Sequence, residues 1–99
     1  MMFLKIHKAY REIIALCDAE LLGKRFEQDN FQLDVKESFY SGEKMSEKEI
    51  IPILQDYAKE DVTFNIVGKK SCQTALKAGI IMQEAIGKID SIPFALVLV

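Results

Sequence analysis

Residues 62–79 read VTFNIVGKKSCQTALKAG and combine two periodicities. The first six positions alternate, which is typical of a β-strand with one buried face. Beyond Gly68, Cys72 and Leu76 fall on one helical stripe, and Gly79 follows where helices commonly end. The segment therefore predicts a strand that turns at Gly68 directly into a helix, and it indicates helices packed on a sheet.

Other segments have the composition or the alternation of strands. The pattern predicts a hairpin of residues 2–8 and 12–17, a strand at 31–35 with Phe31 facing inward, and a last strand at 93–99. The last run is apolar throughout and suits a strand buried on both faces; if exposed, it would form an oligomer edge or promote aggregation. The strand–helix–strand units in the middle of the chain are expected to give parallel neighbours, and the hairpins antiparallel ones.

Two further helices are predicted from their first residues. Residues 18–23 begin with an N-cap acid and end with glycine, which favours one to two helical turns. Ser46 and Glu49 have the spacing of a capping box. Because proline lacks a backbone donor, we expect Pro52 to kink this second helix or to delay its start to near Ile51.

Length and composition place the chain in a broad class. We expect residues 1–99 to form a single small domain of the α/β to α+β class, with a mixed β-sheet, an N-terminal hairpin and two to three packed helices. The hydrophobic fraction of 49% and the charged fraction of 28% are ordinary for a globular protein. No apolar run resembles a signal peptide or a membrane span, so we expect a cytoplasmic protein without a membrane partner.

The net charge of −2 is unevenly distributed along the chain. Residues 1–25 and 62–99 each carry a net charge of +2, whereas residues 26–61 carry −6. If the two ends meet in the fold, a mildly basic face would oppose an acidic one. The alternative is a surface of scattered, solvated charges.

Several short motifs occur together in an order that resembles a known family. They are LCDAELLGK at 16–24, FYSG at 39–42, NIVG at 65–68, and the later AGII and IP. Nearly the whole chain resembles the archaeal domain-of-unknown-function family number 424. The resemblance implies a small archaeal α/β protein without an assigned activity. It also implies a histidine after the late proline in many members, where this chain has Phe94.

The sequence contains no arrangement of residues that predicts catalysis, and we lean towards a protein that is not an enzyme and needs no cofactor. His7 is the one histidine, and Cys17 and Cys72 lack the spacing of a metal site. Both cysteines lie in apolar runs and are expected to be reduced and buried. Asp18 and Glu20 are explained as acids at a helix start.

The corner at Gly68–Ser71 is the candidate binding site. A phosphate-binding Walker loop requires a glycine where this chain has Thr63, so that motif is excluded. Acids are usual in the first turn of a helix, but here Lys69 and Lys70 occupy it, and their charges add to the helix dipole. The corner could therefore attract an anion; alternatively, Gly68 only permits the turn and the lysines are indifferent.

Two functions remain open at this point. The first is a module with weak affinity for anions or the RNA backbone, with RNA or a ribonucleoprotein as partner and a role accessory to translation by analogy. Its basic residues would be Lys5, Lys8, Arg11, Lys24, Arg25, Lys69 and Lys70. The second is a module for a protein or a small ligand, with the acidic helix expected at residues 47–61 or the 93–99 strand as its contact. The sequence leaves the oligomeric state open.

Overall fold

The structure is a computed structural model and describes residues 1–99. Its strands are β1 (Met2–His7), β2 (Glu12–Asp18), β3 (Arg25–Gln28), β4 (Phe31–Asp34), β5 (Glu43–Met45), β6 (Val62–Val67), β7 (Gly87–Ile89) and β8 (Ile92–Leu98). Its helices are α1 (Glu37–Tyr40), α2 (Glu47–Tyr57) and α3 (Lys69–Ala78), with 3₁₀ turns at Ala19–Leu21 and Gln83–Ala85.

The strands form one mixed sheet and one small sheet. The large sheet has six strands in the order β5-β1-β2-β6-β8-β7, and β3 pairs only with β4 in the second sheet. Strands β2 and β6 are parallel, whereas the other neighbours in the large sheet are antiparallel. The expected mixed sheet, N-terminal hairpin and packed helices are confirmed, and the fold belongs to the α+β class.

The large sheet separates two apolar clusters. Helices α2 and α3 cover one face, where Ile14, Leu16 and Phe64 are fully buried. On the other face, the small sheet and α1 enclose a lesser cluster around Cys17 and Val35. None of the helices has the length and apolar composition that crossing a membrane requires.

The expectation of parallel neighbours is wrong for the strand–helix–strand units, because β4 pairs only with β3 and β8 runs antiparallel to β6. The parallel pair in the sheet is β2 and β6, which a long connection of several elements joins. The chain turns back once more between β7 and β8, so β8 runs antiparallel to β6. Asp90 and Ser91 form this turn with φ angles of 51° and 66°. Two successive left-handed residues are typical of a tight hairpin turn whose twist matches its strands.

The one to two helical turns expected at residues 18–23 are a single 3₁₀ turn. Asp18 is the last residue of β2, and only a 3₁₀ turn at Ala19–Leu21 follows it. The Asp18 side chain makes no cap to this turn. An N-cap acid and a terminal glycine are local signals, and here the acid has a partner elsewhere in the fold.

Two expectations about burial are also wrong. Phe31 is 67% exposed because β4 pairs only with β3 and lies outside the large sheet. In β8, Ala95 is buried on the helix-covered face, but Leu96 and Leu98 are 60% and 67% exposed on the other. The small sheet and α1 cover only part of that face, so the strand is not buried on both sides.

The starts and ends of the two longer helices follow their sequence signals. Ser46 and Glu49 form the expected capping box, and α2 begins at once, so a start delayed to near Ile51 is wrong. Helix α3 follows β6 directly, as expected. Gly79 ends it with a φ of 76°, in the left-handed region that favours glycine.

Candidate functional site

Asp18 closes the first turn of α3 from a neighbouring strand. It is 3% exposed, and its Oδ2 accepts a hydrogen bond of 3.1 Å from the backbone N–H of Lys70. Its Oδ1 accepts from the backbone N–H and the hydroxyl of Ser71, at 2.8 and 2.7 Å. The carboxylate therefore supplies the negative charge that the first turn of α3 lacks in its own sequence.

Gly68 makes room for this carboxylate. It has a φ of 112°, and a Cβ built on it would lie 2.3 Å from Cγ of Asp18. Its backbone N–H donates to the carbonyl of Pro93 at 2.8 Å, which ties the corner to β8. Any side chain at this position would displace the carboxylate, so Gly68 is required by a close approach as well as by its backbone angle. We call Asp18, Gly68 and Ser71 the Asp18 cap.

A cavity of about 500 Å³ opens beside the Asp18 cap. It lies at the carboxyl ends of the parallel strands β2 and β6, which is where open α/β sheets commonly bind ligands. We call it the cap pocket. Its lining consists of Asp18, Glu20, Leu21, Lys69, Lys88, Ser91, Ile92 and Pro93.

Two lysines reach the cap pocket from different elements. Lys69 is the first residue of α3, and Lys88 lies in β7. Ser91 and Glu20 also line the pocket. The lysine ammonium groups can donate to an anion, while the neighbouring amides of Lys70 and Ser71 already donate to Asp18.

The structure separates the residues that the sequence singled out for binding. Lys70 is exposed beside the pocket without lining it, whereas Gly68 and Ser71 are buried in the Asp18 cap. Lys24 and Arg25 are exposed at the start of the small sheet and also lie outside the lining.

The basic residues of the N-terminal hairpin lie elsewhere. Arg11 stands at the opposite end of β2 from Asp18, where its guanidinium donates to the carbonyls of Val62 and Val99 and to the hydroxyl of Thr63. Lys5 donates to the carbonyl of Ser38 at 3.0 Å, and Lys8 is exposed beyond the end of β1.

Sequence reasoning missed Lys88 and Ser91 as site residues, and it missed the role of Asp18 as the cap of α3. Lys88 and Ser91 reach the pocket only because β8 runs antiparallel to β6. No local sequence pattern predicts that direction. Asp18 lies far from α3 in sequence. One signal was available: a helix start with Lys69 and Lys70 but no acid requires a negative group from elsewhere.

The thiols are poor nucleophiles in this fold. Both cysteines are free and buried, which confirms the expectation for them. Burial, with the negative charge of Asp18, raises the pKa of Cys17 to about 12 and the pKa of Cys72 to about 11. Both thiols are therefore protonated at neutral pH, and a protonated thiol is unreactive.

His7 has a structural environment. Its ring stacks on Phe39 with the centroids 4.5 Å apart, and its Nε2 lies 2.8 Å from the Phe39 carbonyl oxygen. No three of the histidine, cysteine, aspartate and glutamate side chains come together in a metal-binding arrangement.

The fold and the site define a small α+β protein with a capped strand-to-helix corner. An acid from the neighbouring strand of the sheet caps this corner, and a pocket with two lysines opens beside it. The chain belongs to the family described as "Protein of unknown function (DUF424)", whose model matches residues 7–99. This confirms the resemblance carried by the sequence motifs.

The comparison with solved structures gives a related fold. The chain is similar to an uncharacterized conserved protein from Methanopyrus kandleri, with 30% sequence identity and a TM-score of 0.81. The match covers 98% of this chain and 90% of the other one. No match was found among the curated proteins.

Proposed function

We propose that this protein is a non-enzymatic binding module with weak affinity for phosphate groups, foremost those of an RNA backbone, and that the cap pocket is its binding site. One observation carries the proposal: Lys69 and Lys88 line the same cavity although they come from α3 and β7. Two ammonium groups that share one cavity can contact one phosphate, or two successive phosphates of a strand.

The lysine side chains, and not the helix amides, provide the attraction in this proposal. The Asp18 carboxylate is held by three hydrogen bonds and by the positive end of α3, so much of its charge is already compensated. Glu20 opposes the two pocket lysines, and Lys70 adds a positive charge nearby. The local balance favours an anion modestly, which agrees with weak binding.

Binding of this kind is independent of sequence and sensitive to salt. Lysine contacts to phosphates release counterions and read no base, so affinity falls steeply as the salt concentration rises. We place the protein in the cytoplasm, accessory to translation, by analogy with other small archaeal domains.

The test is the affinity for a fluorescent single-stranded RNA, measured by anisotropy at low and at moderate salt. We expect Lys69→Glu with Lys88→Glu to weaken binding at least tenfold at low salt, equally for unrelated RNA sequences. The matched control is Lys8→Glu with Lys59→Glu, which makes the same change of charge at the opposite end of the sheet. Equal losses in both pairs, or no binding by the wild type at low salt, would refute the pocket as the site.

A second candidate function is a protein-interaction module. The observation that favours it is the exposure of Leu96 and Leu98 on β8, at 60% and 67%. This surface is independent of the cap pocket.

A further inference from the structure

Half of β8 has an open edge. Strand β7 pairs with β8 only from Ile92 to Phe94, so no strand lies beside residues 95–98 on that side. The Pro93 carbonyl and the Val99 N–H both bond towards β6. Because backbone groups alternate along a strand, Leu96 and Leu98 direct their N–H and C=O groups to the open side.

Exposed apolar side chains surround this open edge. Leu96 and Leu98 are 60% and 67% exposed on one face of the sheet, and Val99 beyond them is 41% exposed. On the other face, Val97 lines a mostly apolar groove of about 490 Å³ together with Met82, which is 70% exposed. Four of the seven most exposed large apolar residues of the chain therefore lie around half a strand, a concentration that marks an interaction site.

The β8 edge lacks the features that keep strand edges from pairing. Residues 94–99 contain no charged residue and no proline. By contrast, β5 at the opposite edge of the sheet has only three residues and includes Glu43 and Lys44. A partner that satisfies the outward backbone groups of this edge must present an extended strand beside it.

We propose that the occupant is a second copy of this chain, paired antiparallel through β8 about a two-fold axis at Val97. Leu96 and Leu98 are the residues of β8 whose backbone groups face the open side, and Val97 lies midway between them. In this register Leu96 lies opposite Leu98 of the second copy, and both pairs exchange their outward N–H and C=O groups. The two large sheets then join into one, and Leu96, Leu98 and Met82 of both copies are removed from water.

Symmetry and charge favour a second copy over a different protein. A two-fold interface places like groups near one another, so charges close to the axis would repel. Residues 94–99 carry no charged side chain, so the paired strands themselves bring no like charges together, and Glu84 in the groove beside Val97 is the acid that such a dimer must leave exposed. The strand equally lacks the charges by which a different partner would be selected. In an antiparallel pairing, Leu96 and Leu98 of one copy also match the outward-facing groups of Leu98 and Leu96 of the other.

The experiment is the molar mass by light scattering after size-exclusion chromatography, over a range of protein concentrations. The wild type is expected at twice the chain mass of 11.3 kDa. Leu96→Lys with Leu98→Lys should abolish the dimer, because lysines would face lysines across the axis. Phe31→Lys replaces an equally exposed residue on β4 and should leave the dimer intact.

A third variant tests the register. Leu96→Lys with Leu98→Glu places opposite charges across the axis and should restore a dimer that salt weakens. Monomeric wild type at every concentration, a dimer that survives the double lysine change, dissociation by Phe31→Lys, or no dimer with the lysine–glutamate pair would each overturn the proposal. Hydrogen exchange of wild-type Leu96 and Leu98 amides, slower in concentrated than in dilute protein, tests the same pairing without any substitution.

Discussion

Asp18 is the residue that shapes the corner between β6 and α3. Its carboxylate caps the helix across the sheet, and Gly68 is the residue that lets it approach. An acid at this place stabilises the helix and occupies the amides that would otherwise attract an anion. Binding at the corner then depends on the lysine side chains around it.

Gly68 is required both by its positive φ and by the close approach of Asp18, and a comparison with Gly79 separates the two effects on stability. Gly68→Ala is expected to lower the free energy of unfolding by about 3 kcal/mol, because it combines backbone strain with the loss of a cap. Gly79→Ala also places alanine at a positive φ, but nothing lies within 4 Å of its Cβ. Backbone strain alone should cost about 1 kcal/mol there. Urea unfolding of both variants gives the comparison, and equal losses would show that the Asp18 contact contributes nothing.

At the scale of elements, local signals were reliable where the partner groups were local. The capping box of α2, the strand-to-helix turn at Gly68 and the glycine end of α3 could all be predicted, because each involves residues within one turn. Strand β3 was missed because four mostly exposed residues carry little alternation. The helical turns predicted at 18–23 are only one 3₁₀ turn, and the acid that indicated them caps α3 instead.

Pro52 lies inside α2 and offers a test at this scale. The helix continues from Glu47 through Pro52 to Tyr57. Because proline has no backbone N–H, the carbonyl of Lys48 loses the hydrogen bond that it would otherwise accept from residue 52. Pro52→Ala is expected to raise the free energy of unfolding by about 2 kcal/mol, since Pro52 is exposed and alanine favours a helix. Lys48→Ala, in the same helix, should change it by less than about 0.5 kcal/mol. Unchanged or lower stability of the Pro52 variant would contradict this account.

At the scale of the whole molecule, two separate candidate binding surfaces lie on the large sheet. The cap pocket lies at the carboxyl ends of β2 and β6, and the open edge lies along the second half of β8. The mixed sheet and its helices could be predicted, because strand and helix periodicities were distinct. The pocket could not, because Lys88 and Ser91 meet Lys69 only through the direction in which β8 returns.

The most direct test of the central claim is a map of amide chemical-shift changes across the wild-type protein during titration with a short single-stranded RNA at low salt. We expect the largest changes at Lys69, Lys88 and Ser91, which line the cap pocket, and their loss at moderate salt. The amides of Lys70 and Ser71 should keep the shifts of hydrogen-bonded groups, because they remain bound to Asp18. No shift changes, or changes centred away from the pocket, would contradict the account.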